Sequence, residues 1–219
     1  LTANMKFRRK LKVLLSILFL VVACKEKEEK FAVNKSSNEA MTANMLADTC
    51  NVLLQDGDII LRTGNDVISL LFSQLNQKNK KYSHCGIAFN EDGKWVVYHS
   101  IGGEENPNER LRRDRLDYFI STKSNLGYGI CRYRLSKQES SRLHDTVMRF
   151  YASAIPFDMQ FDLQSDNRLY CAEMVYKAFN KALDTTSFFE TSYHKGFTYI
   201  STDNLFMNNK ARILCELVY

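Results

Sequence analysis

Leu169-Tyr170-Cys171-Ala172-Glu173-Met174-Val175-Tyr176-Lys177-Ala178-Phe179 decides how the rest of the chain is read. Met174, Val175, Ala178 and Phe179 recur at helical spacing, so one apolar stripe of a helix faces a core. Cys171 stands ahead of that stripe, in the first turn. There the unpaired backbone N–H groups and the positive end of the helix dipole favour a thiolate, which is the nucleophilic form of cysteine. Such a cysteine needs a base, and Ser83-His84-Cys85-Gly86-Ile87-Ala88-Phe89 supplies one upstream.

His84 opens a strand over 84–90, joined through Glu91-Asp92-Gly93 to a second strand over 94–101. Asp-Gly between apolar runs is a strong hairpin signal. Strand alternation puts His84, Gly86 and Ala88 on one face, and Val97, His99 and Ile101 share a face of the partner. About a tight turn, His84 and His99 fall opposite one another or one diagonal step apart. A cysteine hydrolase needs a thiolate, an imidazole base and a polar group that orients the imidazole. Cys171, His84 and His99 are the candidates for those roles.

The remaining elements give an α+β domain with a mostly antiparallel sheet packed against helices. A helix is expected over 40–54, a strand over 59–62, and a helix capped by Asn65 with Val67, Leu70, Leu71 and Leu75 at helical spacing. The segment 102–115 reads as a polar loop and 128–134 as a strand. Ser136 and Glu139 form a capping box for a helix with Leu143, Val147 and Phe150 on its apolar side. Residues 184–198 read as irregular and aromatic, followed by a short helix near 203–207 and a last strand over 212–218. His144 and His194 lack a catalytic context.

The N-terminus carries a different signal. Lys6, Arg8, Arg9, Lys10 and Lys12 precede an apolar run over 14–22 that is short for a bilayer span. Val21-Val22-Ala23-Cys24 resembles the lipobox of bacterial lipoproteins, in which the cysteine is lipidated. Leu1 to Asn4, ahead of Met5, are read as an upstream extension. Lys25 to Lys30 alternate in charge and form a solvated tether, similar to an export tag of surface lipoproteins. The expected organisation is a signal peptide over 1–23, lipidated Cys24 and tether over 24–45, and a catalytic domain over 46–219. That implies an envelope location, held to a membrane by lipid.

The chain has 30 Lys and Arg against 25 Asp and Glu. Five of those cations precede Cys24 and no acid does, so the body is near neutral. A nucleic-acid partner is therefore not expected. Among the other cysteines, Cys50, Cys85, Cys131 and Cys215, an export route permits disulfides. Cys85, Cys131 and Cys215 lie in apolar strand-like runs, where a buried free thiol is the expectation. No paired CxxC spacing calls for zinc.

Taken in order, Gly57-Asp58-Ile59-Ile60, Ser83-His84-Cys85-Gly86-Ile87, Val97-Tyr98-His99, Pro156-Phe157-Asp158 and Tyr170-Cys171-Ala172-Glu173-Met174 resemble the permuted papain-like amidases of the YiiX/YaeF kind. These form the circularly permuted branch of the NlpC-type cell-wall cysteine peptidases. The resemblance spans roughly residues 52–205, and histidine before cysteine is what permutation implies. It implies a permuted papain-like fold, Cys171 as nucleophile, His84 as base and His99 in the orienting position, where relatives often carry glutamate. It also places Tyr170 and Asp158 at the substrate pocket. A peptide or amide substrate is expected, such as a peptidoglycan stem peptide, with no metal or organic cofactor. Acyl-lipid or thioester hydrolysis on the same site, with aromatics of 184–199 lining a groove, is the alternative, although packing of those aromatics as a satellite core under a loop is the expectation. A binding module that retains the fold is a third reading.

Overall fold

Strand β1 (Ile59–Gly64) lies inside a six-stranded antiparallel sheet, and its run of Ile59, Ile60 and Leu61 is fully buried. Ile59 and Leu61 join the core on one face, and Ile60 joins the core on the other. A strand covered on both faces reads as a continuous apolar run rather than an alternation. Gly57 and Asp58 set where it starts. Gly57 has a φ of 92°, which glycine adopts without strain, and its N–H donates to the Ala88 carbonyl at 2.9 Å. Asp58 is buried and accepts from Arg132 Nε and Nη2 at 2.7 and 2.6 Å, a two-pronged ion pair that ties two strands together.

The computed structural model describes residues 52–102 and 108–219. The expected signal peptide, Cys24, the tether, Cys50 and most of the 40–54 helix lie outside the described residues. The sheet order is β4 (Arg112–Arg115), β3 (Lys94–His99), β2 (His84–Glu91), β1, β5 (Asn125–Arg132), β8 (Arg212–Val218). The expected α+β class with its mostly antiparallel sheet is what forms.

Helices α3 (Lys137–Ala152) and α4 (Cys171–Ala182) cover one face. Leu143, Val147 and Phe150 of α3 and Met174, Val175, Ala178 and Phe179 of α4 pack with Ile59, Leu61, Cys85, Ile87 and Phe89. Burying each larger side chain contributes about 1.5–3 kcal/mol. The capping box of α3 forms as expected: Glu139 N–H donates to Ser136 Oγ at 3.2 Å, and Ser136 N–H donates to Glu139 Oε2 at 2.7 Å. The other face is covered by α2 (Leu116–Phe119), whose Leu116 and Phe119 pack with Ile60, Ala88, Val97 and Tyr128.

Three expectations need correction. First, β4 occupies part of what reads as a polar loop; its charged residues suit an unpaired sheet edge. Second, α1 (Val67–Ser73) is capped by Asp66 rather than Asn65, through Ser69 N–H at 2.8 Å. Its apolar spacing faces solvent, with Val67, Leu70 and Leu71 exposed by 72, 62 and 60%, because α1 packs on β1 and β2 and not under the α3/α4 layer. Third, 184–198 holds a small hairpin of β6 (Ser192–His194) and β7 (Phe197–Tyr199). Phe188 and Phe189 cluster with Tyr133 and Phe179 in the core, as a satellite core under a loop would, while Tyr193 and Phe197 stand exposed. After it comes α5 (Thr202–Phe206).

Cys85, Cys131 and Cys171 are free and buried. Cys215 departs from the free-thiol expectation: it is disulfide-bonded.

Candidate active site

The site is assembled from the start of β2, the end of β3, the edge strand β4 and the first turn of α4. The hairpin turn uses Asp92 and Gly93 at φ 51° and 79°, and it fixes the register through Glu91↔Lys94 to Ile87↔Tyr98. That register, continued, sets His99 across from Gly86 and one diagonal step from His84. A Cβ at Gly86 would sit 2.9 Å from His99 Cβ, so only glycine leaves the second imidazole room.

His84 and His99 are buried, and their rings meet edge to face, with His84 Nε2 3.0 Å from His99 Nδ1. His99 Nε2 lies 3.0 Å from Asp114 Oδ2, and Arg112 Nη2 pairs with the same carboxylate at 3.0 Å. Burial pushes the Asp114 carboxyl up, but His99 and Arg112 outweigh it and hold Asp114 below its ordinary pKa. An ionised Asp114 only accepts, so His99 Nε2 carries the proton and its Nδ1 is a lone pair. His84 must then donate from Nε2, which leaves His84 Nδ1 as the free basic nitrogen. Burial, then the charges of Arg62, His99 and Arg112, push His84 well below its ordinary 6.5. Burial likewise lowers His99, against the pull of Asp114. The pair is neutral at neutral pH.

Cys171 begins α4 as expected, directly after the N-cap Tyr170. Glu173 Oε2 accepts the Tyr170 N–H at 3.1 Å, and its Oε1 lies 2.9 Å from Lys177 Nζ in an ion pair whose alignment is not that of a hydrogen bond. The Cys171 thiol is held below its ordinary pKa. A hydrogen bond from the Cys85 side chain is the largest cause; burial opposes it, and the N–H groups of Ala172 and Cys85 and the charge of Arg62 assist. Cys85 pays the complementary shift: burial and the contact with Cys171 push its thiol well up.

Cys171 and His84 line one cavity of about 110 Å³, together with Arg62, Ile68, Phe72 and Phe157. Among the described residues no hydrogen bond joins the two. Tyr170 borders a smaller recess beside Cys171; its hydroxyl accepts the Ile200 N–H at 2.9 Å and its ring packs on Phe161. Asp158 does not reach the cavity, contrary to expectation. Its carboxylate accepts the Gln160 and Asp162 N–H groups at 2.8 and 2.6 Å, bracing the loop that presents Phe157. His144 stacks on Phe89 and bonds Glu91, and His194 is exposed on β6. A larger cleft of about 450 Å³ at Asp58, Arg132, Arg134 and Lys210 holds none of the candidate catalytic residues.

The model of the permuted papain-like amidase enzymes, the YaeF/YiiX or C92 family, matches residues 53–208. The chain belongs to this family. It is therefore a cysteine hydrolase of the papain-like amidase type. Consistent with that, its fold is similar to the crystal structure of yiiX from Escherichia coli O157:H7, at a TM-score of 0.61 and 22% identity over 75% of this chain and 98% of that one. That protein is described as a metalloprotein; among the described residues here, no group of three or more His, Cys, Asp or Glu is placed to hold a metal ion. No curated protein matches. Three neighbours of the family motifs escape a motif reading: Asp114, which sits in a run of arginines; Cys85, which reads as a core thiol; and Arg62, which reads as the end of a strand.

Proposed function

We propose that this amidase-family protein cleaves peptide-type amides through Cys171 as nucleophile, His84 as base and His99 as the group that orients His84. The observation that carries the reading is the shared cavity of Cys171 and His84, with His84 backed by the His99–Asp114 chain. His84 Nδ1 takes the thiol proton as Sγ attacks the carbonyl carbon. The imidazolium so formed is stabilised through His99 and the Asp114 carboxylate, then protonates the departing amine. The Cys171 N–H, at the start of α4, is one donor to the oxyanion. Water attacks the resulting thioester with His84 again as base and releases the acid and the free thiol.

The substrates fitting this reading are peptide amides of the bacterial envelope, peptidoglycan stem peptides among them. The lipoprotein-type N-terminus supports that location, with Cys24 as the lipid attachment point. Muropeptide digests read by mass spectrometry test it: the wild type releases new amine and carboxylate termini and Cys171→Ala does not. Equal release by both proteins would sink the mechanism.

A second reading, acyl-lipid hydrolysis on the same thiol, is favoured by one feature. Val67, Leu70 and Leu71 stand exposed on α1, whose Ile68 and Phe72 border the cavity. Fatty acid released from phospholipid vesicles, in place of peptide termini, would select it.

A further inference from the structure

Arg62 is the one cation lining the Cys171 cavity among the described residues. It is the cross-strand partner of His84, and its guanidinium is held in place from behind. Nη1 donates to Asn125 Oδ1 at 2.8 Å, and the guanidinium carbon lies 4.9 Å from the centre of the Phe119 ring. Asn125 is buried, and its own amide nitrogen donates to the Phe119 and Ser121 carbonyls at 3.1 and 2.8 Å. Those two carbonyls can only accept, so the Asn125 oxygen is forced to turn towards Arg62.

This support fixes the arginine but does not neutralise it. Among the described residues no carboxylate forms an ion pair with Arg62, and Nε is buried without a hydrogen-bond partner. The nearby acids are occupied. Asp66, on the cavity rim, accepts from Ser69 N–H and Oγ at 2.8 and 2.7 Å, and Asp114 serves His99 and Arg112. A largely buried guanidinium with no carboxylate in ion-pair contact, supported by the charges of Cys171, Asp66 and Asp114, is costly, and in a cleft beside a nucleophile it marks a functional group. The unpartnered Nε leaves hydrogen-bonding capacity unused on the edge of the guanidinium that, with Nη2, receives a planar carboxylate through two parallel hydrogen bonds.

We propose that Arg62 seats a free carboxylate of the substrate in the Cys171 cavity, so that the amides this enzyme cleaves carry an acid group close to the scissile bond. The inference rests on the hydrolase reading above and narrows its substrate class. A rival role, counter-ion to the Cys171 thiolate alone, would raise reactivity towards charged and neutral electrophiles alike. A carboxylate seat discriminates between them.

Alkylation of Cys171 by iodoacetate and by iodoacetamide separates these roles without any knowledge of the natural substrate. The rate of each is read by mass spectrometry of the Cys171 peptide, with N-acetylcysteine as the free-thiol reference. The iodoacetate-to-iodoacetamide ratio at Cys171 should exceed the reference by about tenfold, the factor for about 1.4 kcal/mol of preferential binding. It should fall to the reference value in Arg62→Gln and lie between the two in Arg62→Lys. In the wild type alone, acetate should protect Cys171 from iodoacetamide and acetamide should not, which keeps the test sharp if a variant fails to fold. A ratio equal to the reference, or one that survives Arg62→Gln while both rates drop together, overturns the carboxylate seat and leaves the hydrolase standing. Failure of both reagents to label Cys171 overturns the hydrolase reading and this inference with it.

Discussion

The two arms of the candidate site are built on opposite physical plans. The cysteine arm is set into the core: α4 buries Met174, Val175, Ala178 and Phe179, and Cys171 is tuned by a neighbouring thiol and backbone N–H groups. The histidine arm runs across the sheet towards its edge, His84 to His99 to Asp114, and ends on a carboxylate shared with a half-exposed arginine. The first arm is positioned by apolar packing that tolerates little movement. The second is positioned by hydrogen bonds whose direction depends on one charge. Each arm should therefore break in its own way.

The largest effect is expected at the far end of the polar arm. Asp114→Asn keeps the shape but removes the obligatory acceptor, so His99 can turn its lone pair outward and no longer accept from His84 Nε2. General acid–base catalysis by a positioned side chain contributes about 10²–10⁴-fold, and Asp114, acting one imidazole removed, should account for the lower end of that range. The loss should fall on kcat more than on KM, and the acid limb of the pH–rate profile should move, because the charge that stabilises a His84 imidazolium in the proposed mechanism is gone. An unchanged profile with a raised KM would mean that Asp114 merely holds the edge strand.

This contrast also explains what could be read ahead of the structure. The cysteine arm was legible because helical periodicity and a cysteine at the first turn are local features of one stretch. His84 and His99 were legible because Asp92-Gly93 sets the hairpin register. Asp114 was not, since an edge strand of Arg112, Arg113, Asp114 and Arg115 carries no apolar alternation and reads as a solvated loop. Helix α1 shows the converse: its period marks a helix correctly, yet Val67, Leu70 and Leu71 face solvent while the same kind of stripe on α3 is buried. Periodicity reports conformation; which layer covers the stripe is decided by distant parts of the chain. Asp158 misled for a related reason, since its place beside a cavity residue did not tell which way its carboxylate turns.

A smaller effect is expected from the thiol that supports the cysteine arm. Cys85→Ala removes the hydrogen bond that does most to hold the Cys171 thiolate down, leaving the N–H groups and Arg62 against burial. The pH midpoint for iodoacetamide labelling of Cys171 should then move upward, towards the free-thiol value of about 8.5. A midpoint that stays put would transfer the tuning to the helix N-terminus and make the two arms independent of β2's second residue.

The smallest effect is the imprint of the polar arm on stability. His84 is held well below 6.5 in the fold, so between its native pKa and 6.5 the unfolded chain binds more protons than the native one. Unfolding free energy therefore rises with pH across that window; the contribution is fully present above 6.5 and is lost as pH falls. His99 acts with the same sign. Glu173, pushed up to about 7 by burial, acts with the opposite sign between 4.5 and about 7, so the net slope of the wild type alone is uninformative. The difference between wild type and His84→Gln isolates the histidine. Urea unfolding from about pH 5 to pH 7.5 should show a shallower rise in the variant, by no more than the ~1.4 kcal/mol per pH unit that one proton contributes. Parallel curves would mean that His84 titrates normally in the fold. The imidazole would then be hydrated, and the hydrogen-bonded chain to Asp114 would lose the dry surroundings that make its direction count.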